Sequence, residues 1–115
     1  MNIRRGSNAN KEKQEFSFTE TERSGTTRRF ALKGKVSVNE SAVMERELEY
    51  AIFSGCTRVI INMSLVSIFT SAGIRVILAA HKKLKKAGGE LKIENPAENV
   101  RNVIGMVALD ELLLR

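Results

Sequence analysis

A chain of 115 residues has room for one domain, and a composition 43% hydrophobic and 28% charged is ordinary for a soluble globular fold. No run approaches ~20 uninterrupted apolar residues, so the sequence holds no candidate transmembrane helix. The net charge of +6 falls unevenly: residues 1–35 carry nine Lys/Arg against four Asp/Glu, and residues 36–115 carry ten against nine.

This excess in the N-terminal third, with no Trp and no aromatics interleaved among the basic residues, predicts a solvated arm and no direct nucleic-acid contact. Residues 1–14 are polar and without periodicity, and are expected to be a disordered basic arm; residues 15–115 are expected to form a single domain. Met1-Asn2-Ile3-Arg4-Arg5-Gly6 has no apolar run behind its basic residues, which argues against a secretory signal. A single cysteine, Cys56, can make no internal disulfide, so the expected compartment is the cytoplasm.

Phe16-Ser17-Phe18 begins an alternation that predicts a first strand, Ser24-Gly25 a turn, and Arg28-Arg29-Phe30-Ala31-Leu32 a second strand in an antiparallel hairpin. Gly34 is expected to break that strand. Ser37-Val38-Asn39-Glu40 has the form of a capping box, with Ala42-Val43, Leu48 and Ala51-Ile52 at helical spacing behind it and a stop near Ser54-Gly55. Val59-Ile60-Ile61-Asn62-Met63 reads as a short central strand covered on both faces. Ile74, Ile77, Leu78, His81 and Leu84 then mark one buried stripe of a helix, with Lys82, Lys83, Lys85 and Lys86 mostly off it and Gly88-Gly89 ending it. Leu91-Lys92-Ile93 predicts a strand. Asn95-Pro96-Ala97-Glu98 predicts an N-cap, a first-turn proline and an acidic N3 residue for a third helix through Val100, Val103, Ile104 and Val107. Leu112-Leu113-Leu114 is a candidate last strand. The order β-β-α-β-α-β-α-β predicts an α/β fold whose mixed sheet is antiparallel at its start and parallel afterwards, with helices packed on it.

The residues that enzyme chemistry would need are missing. One His and one Cys give no metal-ligand spacing, and neither a phosphate-binding G-x-x-x-x-G-K-[ST] loop nor a G-x-G-x-x-G turn occurs. His81 lies in the apolar stripe and is expected to face the core rather than a catalytic serine. Met44, Met63 and Met106 fall at core positions. No catalytic residue, cofactor or metal is expected.

The chemically suggestive segment is Ser64-Leu65-Val66-Ser67-Ile68-Phe69-Thr70-Ser71-Ala72-Gly73-Ile74, read as a loop joining the buried strand to the strongest helix. Thr70 and Ser71 stand at that helix entrance, where unpaired N–H groups and the macrodipole favour anions. A hydroxyl there can cap the helix, and a phosphate there would find free donors.

Val59-Ile60-Ile61-Asn62-Met63-Ser64, followed by Ser67-Ile68-Phe69-Thr70-Ser71-Ala72-Gly73-Ile74-Arg75-Val76-Ile77-Leu78, resembles the signature of STAS domains. In that family a buried strand ending in Asp-x-Ser or Asn-x-Ser leads to a loop such as Asp-Ser-Ser-Gly-Leu or Ser-Ser-Ala-Gly-Leu, then a helix. The run from Lys82 to Gly89, the segment from Val100 to Met106 and Gly34-Lys35-Val36-Ser37 also resemble family features. The likeness covers residues 16–115.

The resemblance to the bacterial anti-sigma factor antagonist type implies a non-catalytic protein that binds an anti-sigma factor serine kinase of GHKL type. Phosphorylation of a loop serine would release it, and a PP2C-type phosphatase would reset it. Ser71 matches the phosphorylated position, with Thr70 as the alternative acceptor. The partner-binding surface implied centres on Ser37, Ser67, Thr70, Ser71 and Gly73. Thr70 stands where the family has its loop Asp, and Ser37 where the antagonists carry an Asp. The family also offers two other roles: a subunit of an ABC-type lipid transport complex without membrane insertion, and a stress-signalling scaffold.

Overall fold

The computed structural model describes residues 15–106. The arm at 1–14 and the last strand expected at Leu112-Leu113-Leu114 lie outside the described residues. Seven elements follow in order: β1 (Ser17–Ser24), β2 (Thr27–Val36), α1 (Val38–Phe53), β3 (Arg58–Phe69), α2 (Ser71–Lys86), β4 (Glu90–Glu94) and α3 (Glu98–Met106). One four-stranded sheet has the order β1-β2-β3-β4, with β1 antiparallel to β2 and the other pairs parallel. This is the mixed α/β sheet that the sequence predicts.

The β1–β2 hairpin closes over Gly25-Thr26, since Ser24 pairs with Thr27. Gly25 takes φ +60°, the conformation that a two-residue turn of this kind asks of its first residue and that glycine adopts at no steric cost. β2 alternates in burial, with Phe30, Leu32 and Val36 facing the core, and the Phe18 and Phe30 rings stack at 4.7 Å. Contrary to expectation, Gly34 does not end the strand. It sits at φ 89° beside a register shift, so its freedom lets β2 run on to Val36.

The capping box at Ser37 and Glu40 forms as expected, but the buried face of α1 is Ser41, Met44, Leu48 and Ala51; Ala42 is exposed. Both long helices stop as their glycines suggest. Gly55 N–H bonds to Ile52 O and Cys56 N–H to Ala51 O after α1; Gly88 N–H bonds to Lys85 O and Gly89 N–H to Leu84 O after α2. α2 buries Ile74, Ile77, Ala80, His81 and Leu84. His81 faces the core, and its Nδ1 accepts the Leu91 N–H at 3.2 Å, covering a donor of β4 at the sheet edge. α3 begins at Glu98, later than the expected cap. Asn95 instead turns the chain at φ 49°, and the Ala97 N–H is spent on Met63 O at 3.1 Å.

The largest departure is β3. It runs through residues 64–69, the segment expected to be a loop, paired with β2 to its last residue. Register shifts between Ala31 and Lys33, and between Gly34 and Lys35, each place an extra residue on β3. Core positions therefore fall at Met63, Val66 and Phe69, every third residue, where an unbroken strand would alternate. The expected cover on both faces is present, but its two sides differ. Val59, Ile61 and Met63 join the helices in one core, whereas Ile60, paired with Arg29 and Lys92, lies on the opposite face outside that cluster. There Ile60 is 1% exposed on the wall of a cavity it shares with Arg29 and Arg58. Arg29 bonds to Glu94 and Arg58 to Glu90, each at 2.9 Å, so their stems cover the isoleucine.

Candidate functional site

β2 and β3 are parallel, so their carboxyl ends emerge side by side, and each leads directly into a helix. This is the end of an open α/β sheet where ligands and partners are commonly received. Val36 pairs with Phe69, and Thr70 bonds back to Val36 across 34 residues of sequence, which brings the starts of α1 and α2 together. Thr70 is the only residue between β3 and α2.

The two helix starts differ. At α1, Glu40 Oε1 accepts from the Ser37 N–H at 3.2 Å and the Ser37 hydroxyl at 2.7 Å. The Ser37 hydroxyl hydrogen bond above all holds the Glu40 carboxyl below its ordinary range, with backbone N–H groups and the Lys35 charge adding to it. Ser37 lacks a charge of its own, and Glu40 brings one against it. At α2 no acidic residue occupies the first turn, and the Thr70 side chain does not cap the helix. Its hydroxyl donates instead to Val36 O at 2.9 Å, beside the Thr70 N–H at 3.2 Å on the same carbonyl. The expectation of a capping hydroxyl at Thr70 is corrected, because the end of β2 offers an acceptor that only the tertiary fold provides.

Ser71 is the first residue of α2, is exposed, and makes no side-chain hydrogen bond among the described residues. The N–H groups of Gly73 and Ile74 turn back to Thr70 O at 3.0 and 3.2 Å, while those of Ser71 and Ala72 precede the first intrahelical bonds. Ser67 is half-buried, and its carbonyl accepts from Asn99 Nδ2 at 2.6 Å. β4 pairs with β3 only as far as Asn62, so Asn99 of α3 and the Ala97 N–H just before that helix cover the remaining edge. Gly73 lies beneath the surface, not on it. A Cβ there would stand 2.8 Å from the Phe69 ring and 3.2 Å from Val36, so its glycine is needed to seat the first turn of α2.

Ser37, Thr70 and Ser71 lie together at this end, beside exposed apolar residues that the sequence reading missed. Val38 is 72% exposed at the start of α1, and Leu65 and Ile68 are exposed on β3. Only the bulges put Leu65 and Ile68 outside, and nothing local in the sequence marks them. Elsewhere, Cys56 is buried, and burial pushes its thiol up, away from the thiolate form. Among the described residues no cluster of His, Cys, Asp or Glu could hold a metal, and no helix is long and apolar enough to cross a membrane.

The fold is that of several solved bacterial proteins. The unphosphorylated form of the anti-sigma factor antagonist SpoIIAA superposes with a TM-score of 0.78 at 23% identity, over 85% of this chain and 86% of that one. An anti-sigma factor antagonist from Mycobacterium paratuberculosis gives 0.75 at 17% identity, over 87% and 84%. At these identities the likeness is one of fold. In sequence, the chain is 32% identical over 72 residues to BtrV of Bordetella bronchiseptica, which is named as an anti-sigma factor antagonist; the match spans 63% of this chain and 62% of that protein. Residues 19–114 match the model of the STAS domain, nearly the whole extent of the resemblance read from the sequence, and the chain belongs to the STAS domain family.

Proposed function

We propose that this chain is an anti-sigma factor antagonist that works in the cytoplasm. It binds an anti-sigma factor serine kinase of GHKL type, is released when that kinase phosphorylates Ser71, and is reset by a PP2C-type phosphatase. The observation that carries the reading is the contrast of hydroxyls at the start of α2: Ser71 is exposed and unengaged, while that of Thr70 is spent on Val36 O. Ser71 is therefore the acceptor of choice over Thr70. The name of the Bordetella relative supports the same role.

The chemistry is electrostatic. A phosphate on Ser71 adds about −1.5 to −2 charge at the contact surface. The first turn of α2 tolerates it, through the helix dipole and the N–H groups of Ser71 and Ala72. A partner docked over Val38, Ser67, Ile68 and Ser71 would have to desolvate that charge. Gly73 serves this surface from below by seating α2.

The test uses the full chain as bait in its native host, with phosphatases inhibited and Ser71 peptides read by mass spectrometry. A GHKL-type kinase should be recovered, with phosphate on Ser71 in part of the pool. Ser71→Asp should weaken kinase binding, and Ser71→Ala should bind and resist phosphorylation. Equal binding by the two variants would sink the switch.

A further inference from the structure

Among the described residues, the exposed large apolar side chains fall into two groups. Val38, Leu65 and Ile68 belong to the end that carries Ser71. Tyr50 and Phe53 stand apart near the end of α1, 66% and 91% exposed. At 1.5 Å per helical residue they lie about 20 Å along α1 from Val38. With Glu49, Ile52 and Lys83 they line an open groove of about 490 Å³ between α1 and α2. The groove continues along the helices over Val76 and Ala79, whose short side chains leave a shallow floor.

The two helices carry opposite charge along this groove. α1 presents Glu45, Glu47 and Glu49 against Arg46, and no basic residue in its last turn offsets the negative end of its dipole. α2 holds no acidic residue and ends on Lys82, Lys83, Lys85 and Lys86. Both helices follow parallel strands and so run in the same direction. Lys83 bonds to Glu49 at 3.1 Å, each about half exposed, so the two stand level across the groove. An exposed pair of this kind contributes little by itself and leaves room on both groups for a further opposite charge. A twofold axis along the groove, parallel to both helices, keeps this level and exchanges the sides. It sets Glu49 of each copy against Lys83 of the other and brings the two aromatic pairs together. The surface is therefore self-complementary, as a symmetric interface requires. Four aromatic side chains at these exposures bring roughly 500–800 Å² of the ~1,200 Å² that a small specific interface buries. Their placement fits as well, since contact centres are rich in aromatic residues and charges gather at the rim.

We propose that the α1–α2 groove is the interface of a weak symmetric homodimer, with a second copy of this chain as its occupant. α1 of each copy lies over α2 of the other, held by Tyr50 and Phe53 at the centre and by Glu49–Lys83 pairs between copies. None of these side chains belongs to the surface proposed for the kinase.

The test is sedimentation velocity of the full chain from low to high micromolar concentration. The mean mass should rise from 12.8 kDa towards twice that value, and less steeply as salt is added. Tyr50→Ser with Phe53→Ser should weaken dimerisation on the order of tenfold. Both side chains being exposed, that variant should melt as the wild type does. Glu49→Lys alone and Lys83→Glu alone should each stay monomeric where the wild type is dimeric, because like charges then meet. An equimolar mixture of the two should dimerise again, since each copy then meets its opposite. Leu65→Ser, at the other end of the molecule, should dimerise as the wild type does. The proposal fails if the wild type keeps its single-chain mass throughout at low salt, or if dimers survive the loss of both aromatic side chains. It also fails if the mixture stays monomeric, or if Leu65→Ser loses as much as the aromatic variant. A monomeric wild type that binds another protein through Tyr50 and Phe53 would overturn it in favour of that occupant.

Discussion

The two halves of β3 solve different problems with one strand. Residues 58–62 pair on both sides, with β2 and β4, without a register shift, and Val59, Ile60, Ile61 and the following Met63 are buried. Residues 64–69 have a strand on one side only, carry both register shifts, and leave Leu65 and Ile68 outside. The first half belongs to the core. The second carries the chain to the start of α2 and spends regular pairing to do so. Surface apolar groups and a helix-covered edge accompany the site because they come with that irregular half.

This contrast can be measured from its strongest side to its weakest. Ile61→Ala removes a fully buried side chain from the regular half and should cost about 2–5 kcal/mol in chemical denaturation; a loss below about 1 kcal/mol would mean the halves are equally loose. Asn99→Ala removes the side-chain bond that covers the irregular edge and should cost about 0.5–1.5 kcal/mol, with faster amide exchange in residues 64–70 than in 58–63. Equal exchange in both halves would deny α3 that covering role. Leu65→Thr, on the exposed face, should shift stability by no more than about 0.5 kcal/mol. A large loss there would place Leu65 in a core that the register excludes.

The same contrast explains what was legible in the sequence. The hairpin, the Ser37–Glu40 box, the two glycine helix stops, the regular half of β3 and the His81 stripe are written in short-range patterns, and each forms. Residues 64–69 obey a period of three because two bulges interrupt the strand, and that spacing matches neither a strand nor a helix. Gly34 was equally ambiguous: a strand breaker and a bulge glycine look alike without the partner strand. The Thr70 hydroxyl depends on an acceptor 34 residues away, and the start of α3 depends on Ala97 bonding to Met63. Ser71 was legible through family resemblance, and its exposure gives that reading a physical footing.

The single-residue connection at Thr70 has an entropic consequence. A flexible binding loop must be ordered when its partner arrives, at about 1–2 kcal/mol per residue fixed. Here strand passes into helix through one residue whose N–H and hydroxyl are both tied to Val36 O. A partner at this surface meets a shape already set, so little ordering is charged against its affinity. A charge added at Ser71 would act on that rigid shape directly, with no disordered segment to absorb it.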